Sequence, residues 1–310
     1  MSKLISVMTP CYNEEAVIET LYKAVRDVFA ELPQYTYEHI FIDNASTDRT
    51  ADILRVMAAA DSRVKVILNT RNFGQMRSPY YGVLQASGDA VIPMAADMQD
   101  PPSLIPAFLA KWEEGFKVVQ AVKSSAQESR IMCGVRRLYY RLVSDISEVE
   151  LVHNATGFGL YDRQVIDILR TLDDPSPYFR GMTAELGFEP AIVEFVQPAR
   201  AGGQSSNNFF TLLDVAMAGI TSHSKLPLRV ATLTGFACAA ASMVAGFAYL
   251  IYKLVNWQNF SVGVAPLVIG LFFISSVQLF FLGVVGEYIG AIYTQVRNRP
   301  LVVEKERINF

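Results

Sequence analysis

The chain is short of charge. Of 310 residues only 27 are Lys or Arg and 30 are Asp or Glu, together 18%, against roughly 25% in soluble domains. The net charge is -3 and no basic stripe stands out, so nucleic acid is not expected as a partner. Cysteine is scarce: Cys11, Cys133 and Cys238 are an odd number without C-x-x-C spacing. A disulfide framework and a zinc ribbon are thereby excluded, and a reducing compartment is expected. His39, His153 and His223 lie far apart with no H-E-x-x-H pair, which argues against a histidine metal centre. Neither G-x-G-x-x-G nor G-x-x-x-x-G-K-[ST] occurs, removing two common phosphate-cradling loops. The first eight residues lack the apolar core of a signal peptide, so the N-terminal domain is expected to stay in the cytoplasm.

Apolar residues fill the place of charge: 51% are hydrophobic and the mean hydropathy is +0.25. Val230–Tyr252 and Leu254–Gly286 contain no charged residue, and about 20 apolar residues suffice to cross a bilayer. The pattern predicts two transmembrane helices, 229–252 and 264–288, in a second unit covering 226–310. Trp257 and Phe260 in the link suit an interface belt. Lys225 and Arg229 precede the first span, and Arg297, Arg299, Lys305 and Arg307 follow the second. The positive-inside rule then places both termini in the cytoplasm. Phe209, Phe210, Leu213, Met217 and Ile220 recur at helical spacing within 207–223. That stripe suits a helix on the bilayer surface or an ordinary packed helix. Gly283, Gly286 and Gly290 permit close helix packing and with it a homo-oligomer.

Over residues 1–225 strand and helix patterns alternate. Strands are expected at 4–9, 39–43, 64–68, 90–94 and 118–122, then near 158–161 and 191–196. Helices are expected after Asn13 and after Thr47 or Asp48, each of which can act as the N-cap, then from Gln75 and from Pro102, the last stopping at Gly115. Alternation of this kind means a doubly wound, mostly parallel α/β sheet. Such sheets bind ligands beyond the carboxyl ends of their strands. The residues standing there are Pro10-Cys11-Tyr12-Asn13-Glu14-Glu15, Asp43-Asn44-Ala45-Ser46-Thr47-Asp48 and Ala95-Ala96-Asp97-Met98-Gln99-Asp100. Carboxylates and amides thus converge on one edge, and a metal held by acidic residues replaces a Gly-rich loop, because Mg²⁺ typically takes one or two carboxylates plus substrate phosphates.

These segments, with Arg71-Asn72-Phe73-Gly74, Gly286-Glu287-Tyr288-Ile289-Gly290 and Arg299-Pro300, resemble the GT-A fold of inverting family-2 glycosyltransferases. The likeness is to the polyprenyl-phosphate branch and covers nearly the whole chain. It implies transfer of a sugar from a nucleotide-diphosphate donor, UDP rather than GDP, to undecaprenyl phosphate at the bacterial inner membrane. It further implies that Pro10, Tyr12, Glu14, Ile42, Asp43, Asn44 and Ala96 line the nucleotide-sugar pocket. Asp97 and Gln99 would hold Mg²⁺ or Mn²⁺; Lys123 and Arg200 would carry positive charge at the reacting phosphates; Arg180, Arg200 and Ser205 would hold the acceptor phosphate.

Three departures stand out. The D-x-D-x-Q metal motif of the family falls on Ala95-Ala96-Asp97-Met98-Gln99, so its first carboxylate is missing. Relatives often carry Asp in the place of Gly157 and Arg in the place of Gly159. The Lys that usually follows the R-x-x-G-x-S loop is Ser206. A sugar-hydroxyl acceptor needs a general base, whereas a lipid phosphate is already ionised, so loss of the carboxylate favours the lipid. Asp162 reads as a helix N-cap, not a displaced base. Asp97 and Asp100 also suit a solvated loop with charge at the start of helix 102–114. Arg130, Arg136, Arg137 and Arg141 suit either lipid headgroups or a solvated helix face. The departures motivate a rival, a catalytically silent homologue that binds nucleotide-sugar or lipid as a scaffold.

Overall fold

The computed structural model describes residues 2–124, 152, 155–172, 174, 175, 177–198, 226–255, 264–297 and 299–310. Five strands and four helices alternate first: β1 (Lys3–Cys11), α1 (Ile18–Ala30), β2 (Tyr35–Asp43), α2 (Thr50–Ala60), β3 (Val64–Asn69), α3 (Arg77–Leu84), β4 (Ala90–Pro93), α4 (Ile105–Glu113) and β5 (Val118–Lys123). Then come β6 (Ala155–Asp162), α5 (Arg163–Thr171), α6 (Phe179–Glu185), β7 (Pro190–Phe195), α7 (Leu226–Val255), α8 (Val264–Val296) and β8 (Glu304–Ile308). The eight strands form one sheet in the order β7-β5-β6-β4-β1-β2-β3-β8. The pairs β1–β2, β1–β4, β2–β3 and β5–β7 are parallel, and β6 and β8 run antiparallel to their neighbours. The mostly parallel α/β sheet expected from the alternation is therefore present.

The helices bury the stripes that their spacing foretells. Ile18, Leu21, Val25 and Phe29 of α1 are all at most 5% exposed; each such side chain contributes roughly 2 kcal/mol of burial. Leu21, Val25 and Phe29 join Ile5 and Val7 of β1 and Ile105, Phe108 and Trp112 of α4 on one face of the sheet, while Ile18 packs with Phe41 of β2 and Leu54 of α2. On the other face Tyr80 and Val83 of α3 pack with Val165, Ile166 and Leu169 of α5, Met182 of α6, and Ile40 and Ile42 of β2. The expected helix after Pro102 divides into a 3₁₀ turn, Pro102–Leu104, and α4. As expected, the Asp162 side chain caps α5, accepting from Gln164 N at 2.9 Å. Trp112 Nε1 donates to its other oxygen at 2.7 Å, so this carboxylate is spoken for at the edge away from the strand ends that carry the loops.

Gly159 explains one departure from the family pattern. A Cβ there would stand 2.1 Å from the Val119 carbonyl oxygen of β5, the strand with which β6 pairs antiparallel. No side chain fits this backbone, so Gly159→Ala is expected to destabilise the protein by about 2 kcal/mol or more. A thermal melt of the solubilised protein that leaves the midpoint unmoved would refute that contact.

His39 lies wholly buried in β2, 3.9 Å from the Phe41 ring centroid and sharing a 3.0 Å hydrogen bond with Thr9 Oγ1. Burial pushes its imidazole down to about 3, and its Nδ1 has no hydrogen-bond partner. The folded value lies below the unfolded one of about 6.5. Stability from the neutral ring is thus complete above that pH and is lost as pH falls toward the folded value. We expect the wild type to lose about 2 kcal/mol more than His39→Gln between pH 7 and pH 5. Denaturant titrations at both pH values measure the difference.

The two helices anticipated near the C-terminus are α7 and α8, which pack against each other. Within α8, Phe273–Gly290 is apolar and long enough to cross a membrane. Large apolar side chains of both helices, such as Phe236, Phe247, Phe273 and Phe280, stand more than 60% exposed. The stripe at 207–223, the arginines at 130–141, and Arg200 and Ser205 fall outside the described residues.

One strand has no counterpart in the sequence pattern. After α8 the chain returns to the sheet, where β8 extends the edge at β3, pairing Val66 with Ile308 and Leu68 with Glu306. Arg55 Nη2 of α2 lies 2.8 Å from Glu306, Tyr81 Oη of α3 donates to Glu304 at 2.8 Å, and Asn309 Nδ2 donates to the carbonyls of Ala58 and Val64. Residues 304–308, read from sequence as part of a tail, thus belong to the α/β sheet.

Candidate active site

The loops after β1, β2 and β4 meet at one edge, and each contains a non-glycine residue in the left-handed region. These are Asn13 (φ 57), Ala45 (φ 61) and Met98 (φ 62). Such backbone costs about 1 kcal/mol or more per residue and collects at functional sites. Asn13 does not cap α1, which begins at Ile18. Its side chain instead accepts from Thr47 N at 2.8 Å, while its own N–H donates to Ser46 Oγ at 2.9 Å. Glu14 N donates to Thr50 Oγ1 at 2.9 Å, so the first two loops are laced together by side chains. Asp43, 2% exposed, accepts from Ser46 N and Ser46 Oγ. Burial raises its carboxyl above the usual range, and the Ser46 bonds oppose that rise.

Asn44 is a hub. Its Oδ1 accepts from Phe73 N at 2.8 Å and Asn69 Nδ2 at 3.2 Å, and its Nδ2 donates to Asn72 Oδ1 and the Gly74 carbonyl. It therefore sets the Arg71-Asn72-Phe73-Gly74 loop, and any role toward a nucleotide passes through that loop. Tyr12 projects at 41% exposure, free to cover a flat ligand. Ile42 and Ala96 are buried at 0% and 3%; their side chains pack in the core, Ile42 close over Gly82.

Beside these loops opens a cleft of about 590 Å³. Pro10, Ala95, Asp100, Lys123, Gly157 and Arg180 all line it, which brings together three residues expected at the site, adds Asp100, and includes two of the departures. Gly157 has φ +90, and a Cβ there would meet the aliphatic part of Arg180 at 3.7 Å. Arg180 donates through Nη1 to the Ala155 carbonyl at 2.7 Å, which fixes its reach along the cleft wall. Two cations, Lys123 and Arg180, thus share a wall with no carboxylate at 157.

Asp97 and Asp100 are 6% and 8% exposed, so neither sits in a solvated loop. Asp97 Oδ1 accepts from Gln99 N at 3.1 Å, and Asp100 Oδ2 accepts from Ala95 N at 2.9 Å. Burial lifts the Asp100 carboxyl to about 6; the Ala95 hydrogen bond and the Lys123 charge oppose the rise, and the Asp97 charge adds to it. Among the described residues no three His, Cys, Asp or Glu side chains gather as a metal cage. Asp97, Gln99 and Asp100 offer hard oxygen donors, a set that suits Mg²⁺ or Mn²⁺ completed by substrate phosphate and water. The sequence pattern placed Asp100 at the strand end without assigning it a ligand, because a carboxylate before Pro101-Pro102 also serves as N-terminal charge for a helix. Its position three residues after Asp97 was the available signal.

Residues 6–169 match the model of Glycosyl transferase family 2, and 226–292 match the GtrB C-terminal hairpin. A bactoprenol glucosyl transferase of prophage SfII in Shigella flexneri is 36% identical over 303 residues, 97% of each chain. An uncharacterized glycosyltransferase of Bacillus subtilis is 34% identical over 299 residues, 96% of this chain and 92% of that one. Among solved structures, glucosyl-3-phosphoglycerate synthase of Mycobacterium tuberculosis, crystallised with Mn²⁺, UDP and phosphoglyceric acid, superposes with a TM-score of 0.50 at 19% identity. The superposition covers 71% of this chain and 76% of the synthase, and it shows the GT-A fold. The match over 6–169, the hairpin match over 226–292 and the relatives alike over nearly the whole chain show that the chain belongs to glycosyl transferase family 2.

Proposed function

We infer that the protein moves one sugar from a nucleotide-diphosphate donor, a UDP-sugar, to undecaprenyl phosphate at the cytoplasmic membrane face. The observation that carries this reading is the cleft wall where Lys123 and Arg180 stand and position 157 is glycine. Two cations beside a glycine, where relatives often carry a carboxylate, suit an acceptor whose nucleophilic oxygen is already ionised. The relative named bactoprenol glucosyl transferase, alike over nearly the whole chain, supports the same acceptor class. The lipid phosphate oxygen forms a bond to the anomeric carbon as the bond to the nucleotide diphosphate breaks, and attack from the opposite face inverts the configuration. Tyr12 and the Asp43–Asn44 loop hold the nucleoside, while Lys123 and Arg180 hold anionic oxygens in a partly desolvated cleft. Asp97 and Gln99 are the residues that would hold Mg²⁺ or Mn²⁺, which when bound neutralises charge on the leaving diphosphate.

The exposed apolar surfaces of α7 and α8 lie in the bilayer in this reading, and both ends of the hairpin face the cytoplasm. The return of the chain to the sheet as β8 supports that arrangement, since both helix ends connect to one domain. Holding the enzyme at the membrane raises its effective concentration toward a lipid acceptor.

The test is label transfer from a panel of UDP- and GDP-sugars to undecaprenyl phosphate, using purified full-length protein with Mg²⁺ or Mn²⁺. Label in the lipid from one donor supports the reading and names the sugar. Binding of nucleotide without transfer from any donor would sink it in favour of the silent homologue.

A further inference from the structure

We propose that Asp100 supplies the second carboxylate of the metal and diphosphate site, in place of the one that Ala95 lacks. The proposal rests on the reading that a divalent cation accompanies the nucleotide. The family pattern that the sequence resembles has two carboxylates in this turn, and here the first position is Ala95. The Asp100 side chain folds back over that position, with its Oδ2 2.9 Å from Ala95 N. It lines the cleft together with Ala95 and Lys123. Asp97, three residues earlier in the same turn, is likewise buried, at 6% exposure. A buried carboxylate costs several kcal/mol of desolvation unless partners offset it, and one amide hydrogen bond with the Lys123 charge supplies only part of that. A cation shared with Asp97 offsets the remainder.

Asparagine is the discriminating substitution, because it keeps an oxygen for Ala95 N and removes only the charge. The affinity of the full-length protein for UDP, and separately for GDP, is measured by calorimetry with 1 mM-scale MnCl₂ and again in EDTA; roughly millimolar metal saturates sites built from one or two carboxylates. The expected result is that Mn²⁺ tightens nucleotide binding about tenfold in the wild type and less than about threefold in Asp100→Asn, a difference of roughly 0.7 kcal/mol. Affinity in EDTA does not fall, since one negative charge near the diphosphate is gone, and a thermal melt reports the intact fold separately. Adding Ala95→Asp to Asp100→Asn restores the enhancement. Asp97→Asn loses it in every background.

Retention of the full Mn²⁺ effect in Asp100→Asn, with its loss in Asp97→Asn, overturns the proposal and leaves the metal reading standing. Failure of Mn²⁺ to tighten either nucleotide in the wild type removes the metal reading and this assignment with it. If Asp100→Asn alone binds poorly in EDTA, the double variant decides: recovery of the Mn²⁺ effect there supports the assignment, and its absence refutes it.

Discussion

Asp97→Asn is expected to lower kcat/KM for sugar transfer by about three orders of magnitude, the scale seen when a charge-stabilising group is taken from a transition state. Asp97 is 6% exposed and is the acidic residue retained from the family's D-x-D pair. Its Oδ1 already accepts from Gln99 N, so the carboxylate is held before any ligand arrives. Asparagine keeps the volume and one oxygen, leaving the turn at Met98 intact. The loss should therefore appear in kcat more than in donor affinity measured with EDTA. Initial rates of label transfer at saturating donor and lipid measure it. A fall of less than about tenfold would exclude Asp97 from the role assigned to it.

Arg180→Gln is expected to raise KM for the lipid phosphate by about 50-fold while donor KM holds, because a hydrogen bond to a charged group is worth roughly 2–3 kcal/mol. The guanidinium is anchored at one nitrogen to the Ala155 carbonyl, 2.7 Å away, and leans over Tyr178. This leaves further donors for a phosphate, in the fork geometry that arginine offers and lysine does not. Arg180→Lys should recover part of the loss through charge alone. Acceptor titrations at fixed donor separate the two parameters. Should donor KM rise instead, Arg180 serves the leaving diphosphate and the acceptor lies elsewhere in the cleft.

Much of the fold was legible because each helix of the α/β sheet keeps one apolar stripe and each strand one short apolar run. Ile18, Leu21, Val25 and Phe29 announce α1 by spacing alone, and all four are buried. The site was legible as strand-end loops, since parallel sheets gather their carboxyl ends on one edge. Burial was not: Ile42 and Ala96 share the loops' sequence segments yet point into the core. Asp100 was underweighted for the converse reason, since only the structure shows its carboxylate turned back onto Ala95 N. Asn13 looked like a cap because local pattern cannot reveal a partner 34 residues away, Thr47. β8 was hidden because Glu304-Lys305-Glu306-Arg307 carries too much charge to read as a strand. Its pairing with β3 and the Arg55–Glu306 and Tyr81–Glu304 contacts are long-range facts.

That last strand fixes an order of assembly. A chain is made from its N-terminus, and domains fold as their parts emerge. Here the sheet lacks its eighth strand until α7 and α8 have been synthesised, since β8 follows both. Until then β3 is an edge with unpaired backbone groups, the kind of surface that invites aggregation. The catalytic domain is thus completed only after the apolar hairpin has left the ribosome, which ties its final folding step to arrival at the membrane. Truncation before residue 226 would yield not a soluble enzyme freed of its anchor but a sheet one strand short.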